Sequence, residues 1–422
     1  MSDWRELRAA LEGIEVVDAH EHHRGGGDAV PLTAVVPFLC DNYLWGVLPF
    51  HVRDAQARIR GAGDDRAQYA ALAAYWPGIR NTAHARIVDA TLERLGVPGG
   101  VRPENYEAIL ALLGRRDGPR LSALLRERGI RHTLTNIVGH GCFGGLDSID
   151  RFAQGELTFE AGIRSNVGVE PLIQFESRGE LERLAAVAGG SAATLGGLEA
   201  CAAALVARCA ARGAAGLKVS LAYTTGLMIG NPSRAEAEAA LQSLLRGETP
   251  KAPLALTHYL LNRLVGQAGD LGLPVAFHTG YLQSAAADRT NVRHLAELFT
   301  RFPHTDFDVY HLSYPYFDSM LEAAKSFPNL YCNCCWTQAI DPAYTQRFLR
   351  NAIGTIPASH LFAFGGDYAW YPEYVPANLD HTKNVVGAAL AEAMSAGYFG
   401  RDDALELGRW WLYSAPKALY RL

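Results

Sequence analysis

Ile14-Glu15-Val16-Val17-Asp18-Ala19-His20-Glu21-His22-His23 is an apolar stretch that ends in two histidines one residue apart. It reads as a β-strand, and in a strand residues i and i+2 point to the same face. At the C-terminal end of such a strand, His20 and His22 can aim both imidazoles at one point. Two converging neutral imidazoles are a candidate metal-ligand pair. Pairs of this kind also arise in strands and turns that hold no ion, so the reading depends on what stands at the ends of the other strands.

Working outward, short apolar runs recur, each followed by a stretch of helical period, which is the pattern of repeated βα units around a parallel sheet. The expected strands are 14–19, 131–137, 170–175, 214–221, 274–278, 307–311, 329–334 and 361–366. Eight such units predict a (β/α)8 TIM barrel, an α/β fold that can run as a single domain over residues 1–422 when it carries insertions. More than a hundred residues separate the first two strands, far beyond an ordinary connection. Residues 31–130 therefore read as a helical insertion, with helical spacing over 66–75, 82–95 and 105–113 and stops at Gly96 and Pro98-Gly99-Gly100. An alanine-rich helix is expected at 196–212, and the tail from Ala388 reads as helical, with Trp410-Trp411 as a packing anchor.

In such barrels chemistry sits at the C-terminal ends of the strands. Strand one ends with His20 and His22, strand four carries Lys218, strands five and six end with His278 and His311, and Asp367 follows strand eight. A lone strand histidine is commonly a satisfied core residue, and a lone lysine in an apolar run commonly snorkels. All of these groups at one rim are harder to explain as packing. Neutral imidazoles and carboxylates bind Zn²⁺ or a related divalent ion (Mn, Fe and Ni suit the same donors), and the ion lowers the pKa of a bound water to about 7. Asp367 is then placed to hold that water and accept its proton. Lys218 has no lone pair for a metal as an ammonium. Carboxylation by CO₂ would convert it into an anionic bridge between two ions, so one or two ions are expected.

Composition narrows the remaining classes. A chain of 422 residues with 49% hydrophobic residues, 20% charged residues and net charge −5 is expected to be globular and to bind no nucleic acid. Its first residues lack the basic and apolar regions of a signal peptide, and no apolar run reaches the ~18 residues of a membrane span, so a cytoplasmic protein with no membrane partner is expected. Seven cysteines suit reduced thiols, and Cys332, Cys334 and Cys335 read as strand residues with a structural role. Closed homo-oligomers are the usual state of such enzymes. Tyr223, Thr279, Tyr281, Tyr314, Tyr316 and Trp370 lie just past strand ends and are candidates for contact with a small-molecule substrate. Arg53 and Arg80 in the insertion are candidates to fork a substrate carboxylate. His23, His51, His84, His132 and His140 lack the strand-end placement.

The order His-x-His, Lys, His, His, Asp over strands one, four, five, six and eight resembles the amidohydrolase superfamily of metal-dependent (β/α)8 enzymes, over nearly the whole chain. That resemblance implies that His20, His22 and Asp367 bind the more buried ion, that Lys218 bridges, that His278 and His311 bind the second ion, and that Asp367 is the base. Gly216–Tyr223, Leu273–Tyr281 and His311–Tyr316 are similar to the branch that includes the N-terminal domain of fungal FluG-type proteins. Asp41-Asn42-Tyr43-Leu44-Trp45, followed by Trp76 and Arg80, is similar in layout to uronate isomerase, which lacks the lysine. Hydrolysis of an amide, ester or related C–N or C–O bond is the expected activity. Isomerisation of a sugar acid, or decarboxylation, on the same site is the alternative.

Overall fold

The computed structural model describes residues 2–25, 30–41, 43–51, 53–248, 253–282 and 288–422. Eight strands are present: β1 (Val16–Glu21), β2 (Ile130–Val138), β3 (Ile163–Gly168), β4 (Leu217–Val219), β5 (Val275–His278), β6 (Phe307–Tyr310), β7 (Leu330–Asn333) and β8 (Leu361–Phe362). They form one parallel sheet in the order β1 to β8, the arrangement of a (β/α)8 barrel. Leu217 pairs with Val275, Val275 with Phe307, and Phe307 with Leu330, so one layer of buried apolar residues runs across four neighbouring strands. Beyond β8 the chain stays beside β1, where Ala19 N–H donates to the Phe364 carbonyl (3.1 Å) and Asp367 N–H to that of His20 (2.9 Å).

The expected third strand is displaced. Residues 170–173 are a short helix with Pro171 in its first turn, where the missing N–H costs nothing. The strand itself, Ile-Arg-Ser-Asn-Val-Gly at 163–168, shows no apolar run because its inward groups are polar. The Asn166 amide donates to Asn136 Oδ1 (3.1 Å) and to the Tyr310 hydroxyl (2.9 Å), and Ser165 Oγ donates to the Asn166 carbonyl (2.7 Å).

Two compact units make up the chain, Met1–Thr133 with Cys334–Gly354 and Ala363–Tyr413, and Leu134–Asn333 with Thr355–Phe362 and Ser414–Leu422. The first holds the insertion, which among the described residues contains seven α-helices, from Val35–Cys40 to Gly118–Glu127. Helix Asp65–Ile79 is capped by the Asp64 carboxylate, which accepts from Ala67 N–H, and buries Tyr69, Leu72, Ala73, Trp76 and Ile79 along one stripe. Thr82 caps Ala83–Arg94 in the same way. Trp411 in the tail is buried, and its carbonyl accepts from Ala363 N–H (2.8 Å), so it anchors the residues that lead to Asp367. In the second unit the alanine-rich helix runs Leu195–Ala211 under a Thr194 cap. All seven cysteines are free, and Cys332, Cys334 and Cys335 are buried. Burial pushes the Cys334 thiol up, which keeps it protonated and apolar in behaviour. Among the described residues no helix is long and apolar enough to cross a membrane.

Candidate metal centre

In the first unit, alternation along β1 puts His20 and His22 on one side of the strand end. Their Nε2 atoms lie 2.9 Å and 3.2 Å from the same oxygen, Oδ1 of Asp367. His20 and Asp367 are buried, at 1% and 6% exposure, which removes competing water from the donors. Asp367 sits at φ 63°, a conformation uncommon outside glycine that turns its carboxylate back onto β1. The two preceding glycines make that turn possible. A Cβ on Gly365 would stand 2.5 Å from Cys335 Cβ and 3.0 Å from His20 N, and one on Gly366 would stand 2.0 Å from Glu21 Oε1. The two glycines thus admit β1 itself close to the backbone before Asp367.

Beneath this triplet lie two acids that the strand-end reading passed over. Asp18 Oδ1 accepts from Gly366 N–H (3.1 Å) and Glu21 Oε2 from Tyr368 N–H (2.7 Å). Burial pushes the Asp18 carboxyl up to about 7 and the Glu21 carboxyl well above its usual range, and the two hydrogen-bond to each other. Two carboxyls in that setting hold a shared proton, so they support the ligand strand without adding two full charges to it. Tyr43 stands just before helix Leu44–His51. Its hydroxyl donates to the Asp367 carbonyl, and its ring lies 4.6 Å from that of Trp336. His84 stands behind Tyr43, with ring centroids 5.7 Å apart, and burial pushes its pKa down to about 4, so it is a neutral packing group. Trp370 is 48% exposed, and its carbonyl accepts from Arg116. Arg53 and Arg80 are exposed, and Arg80 acts on Asp89. The side chain of His51, like residue Asn42, lies outside the described residues.

In the second unit, β5 and β6 bring two imidazoles together, with His311 Nε2 3.0 Å from His278 Nδ1. The Tyr223 hydroxyl also reaches His278 Nδ1 (3.1 Å), and the Tyr281 carbonyl faces His278 Nε2 (3.3 Å). Tyr314 meets Tyr281 edge to face at 6.1 Å. His311, Leu312 and Ser313 all have positive φ, a turn pinned by Thr279, whose hydroxyl donates to the Tyr310 carbonyl (2.6 Å) and accepts from Ser313 N–H (3.0 Å). Thr279 is fully buried, which suits holding this turn rather than meeting substrate. Lys218 Nζ lies 3.9 Å from the centroid of the Tyr310 ring. Its positive charge pulls down the buried Asp308 and the partly buried Glu170, although desolvation is the larger influence and leaves both raised, Asp308 to about 7. Asp308 accepts from the Tyr420 hydroxyl (2.7 Å) and Asn333 (3.1 Å).

The donor chemistry fits a divalent ion. In the first unit, two imidazole nitrogens within hydrogen-bond distance of one buried carboxylate oxygen form a His₂–carboxylate group. Asp18 and Glu21 hold the backbone on either side of Asp367 through Gly366 N–H and Tyr368 N–H.

The amidohydrolase family matches residues 179–422, more than half of the chain. No curated protein matches. The structure is similar to uronate isomerase from Thermotoga maritima (15% identity, TM-score 0.79, 99% of this chain and 97% of that one). It is also similar to glucuronate isomerase from Caulobacter crescentus (18%, 0.74, 100% and 94%) and to a uronate isomerase from Bacillus halodurans C-125 (14%, 0.71, 99% and 96%). At these identities the likeness is one of fold. The match over 179–422, on a parallel eight-stranded barrel, establishes that this chain belongs to the amidohydrolase family.

Proposed function

We propose that the chain is a metal-dependent hydrolase of a small molecule, with His20, His22 and Asp367 holding a divalent ion and with His278 and His311 completing the set. The observation that carries this reading is the convergence of both β1 imidazoles on one Asp367 oxygen. In a barrel of this class the strand ends open on one face, which is the argument for treating His278 and His311 as part of the same centre. When bound, the ion supplies Lewis-acid polarisation and brings a water's pKa to about 7. Asp367 accepts the proton of the attacking water and delivers it to the leaving group. The Tyr223 hydroxyl holds the His278 ring in one orientation. Tyr281 and Tyr314 would line the substrate side of those imidazoles. Zinc is the first choice of ion, with manganese, iron and nickel compatible with the same donors.

Exhaustive chelation is expected to abolish hydrolysis of a panel of amides and esters, with recovery on adding Zn²⁺ or Mn²⁺. Asp367→Asn should lose at least ~100-fold in turnover, the scale of a positioned acid–base group. Full activity after complete metal removal would overturn the reading.

Sugar-acid isomerisation is the second reading, and Lys218 favours it. Its Nζ against the face of Tyr310 is a setting that suits an ammonium, whereas a two-ion hydrolase centre calls for the carboxylated side chain. The structural neighbours named as uronate and glucuronate isomerases fit this alternative. Metal analysis and intact-mass measurement separate the two. One ion and an unmodified Lys218, with interconversion of an aldehyde and a ketone form of a hexuronate, would support isomerisation. Two ions and a lysine heavier by CO₂ would support hydrolysis.

A further inference from the structure

Away from the metal ligands, the first unit contains a cavity of about 260 Å³ between the helices of the insertion and Glu373. One part of its wall is Leu112, Leu113, Leu121 and Leu124, and the other carries Arg94, Arg115, Arg116 and Arg120. Three carboxylates also line it, but Glu373 is consumed by Arg116 in a buried two-pronged ion pair (2.6 Å and 3.2 Å). Of the other three arginines, Arg94 pairs with Asp380, and Arg115 and Arg120 share the lining with Asp117 and Glu127. Arg94 belongs at its other side to a cluster in which Arg8, Arg94, Arg128 and Lys383 surround two carboxylates, Glu12 and Asp380. Four cations against two carboxylates leave that cluster with excess positive charge; burial and the neighbouring Arg128 and Arg8 charges lower the Arg94 guanidinium, while Glu12 raises it.

We propose that this cavity is a binding site for a small amphipathic carboxylate, its head taken by the arginines and its apolar body by the leucines. A guanidinium fork matches a carboxylate in geometry and charge. The volume holds roughly ten non-hydrogen atoms at about 30 Å³ for each water-sized group, so the ligand is a short alkyl or single-ring acid. The site also touches the chain beyond Asp367. Arg116 donates to the Trp370 carbonyl (3.3 Å) and to that of Val30 (3.0 Å) while it holds Glu373, so an anion that competes for Arg116 loosens residues 370–374. Ligand arrival is thereby linked to the segment that follows the metal-binding aspartate.

Titration calorimetry on the full chain with octanoate, 1-octanol and inorganic phosphate tests this. Octanoate is expected to bind with a stoichiometry of one and to raise amide exchange at 370–374. The double substitution Arg115→Gln with Arg120→Gln, at two exposed positions where folding is undisturbed, should weaken octanoate at least ~10-fold, the scale of a lost charge-assisted hydrogen bond. Leu124→Gln should weaken it independently. Equal binding of octanol would overturn the anionic head, equal binding of phosphate would overturn the apolar body, and unchanged binding by the arginine variant would overturn the site. A thermal unfolding midpoint for each variant matching that of the parent makes these outcomes readable.

Discussion

Asp367 accepts two imidazoles on one oxygen because its backbone is forced into the left-handed region by contacts on both sides. Its N–H bonds the His20 carbonyl, and its own carbonyl receives Tyr43. The permissive residue is Gly366, where a methyl group would penetrate to 2.0 Å of Glu21 Oε1. Glu21 cannot swing away, being fully buried and held at its other oxygen by Tyr368 N–H. Gly366→Ala should therefore lower stability by about 1–3 kcal/mol, the usual cost of overpacking, and weaken ion binding with it. Denaturant unfolding with and without Zn²⁺ measures both. Unchanged stability would show that the Glu21 carboxyl has more room than the contact distances allow.

At the scale of elements, helix Leu44–His51 and the residues before it have a direct chemical consequence, because Tyr43 reaches the aspartate from outside the barrel's βα repeat. Tyr43→Phe removes a supporting hydrogen bond while keeping the ring on Trp336. Such outer partners are worth about 10–100-fold in metal affinity or activity. The variant should bind Co²⁺ about 10-fold more weakly at unchanged stoichiometry, with an altered visible spectrum. An identical spectrum and affinity would make Tyr43 a packing residue only. Helices of the insertion were legible over 66–75, 82–95 and 105–113, since apolar spacing and stops are local signals, but the contact of Tyr43 with Asp367 spans 324 positions and leaves no local trace. Seven strands were legible for the same local reason. The third was not, because β3 buries Asn166 and Ser165 against polar partners and so lacks the apolar run by which a parallel strand is read. The rim residues were legible through their position at strand ends. Asp18 and Glu21 were hidden in plain view, one residue out of phase with the histidines or set back along the strand.

Across the whole molecule, two buried groups give stability opposite dependences on pH. His84 in the first unit titrates at about 4 when folded, against an ordinary value of 6.5, because burial disfavours its charged form. Between pH 6.5 and 4 the unfolded chain binds the proton and the folded chain does not, so stability falls as pH falls through that window. Asp308 in the second unit titrates at about 7, against 3.8, also through burial. Between pH 3.8 and 7 the folded chain keeps a proton that the unfolded chain releases, so this group lowers stability as pH rises. The effects are on the order of 3–4 kcal/mol across their windows, at about 1.4 kcal/mol per pH unit, with Asp308 the larger. Over pH 4–6.5 they oppose each other. Relative to the parent, His84→Phe should add stability at pH 4 that fades by pH 7, and Asp308→Asn should add stability at pH 7 that fades by pH 4. Urea unfolding at half-unit intervals from pH 4 to 7.5 reads both differences. Parallel curves for parent and His84→Phe would show that His84 takes up its proton in the folded chain as readily as in the unfolded one, and parallel curves for Asp308→Asn would show that Lys218, rather than burial, governs that carboxyl.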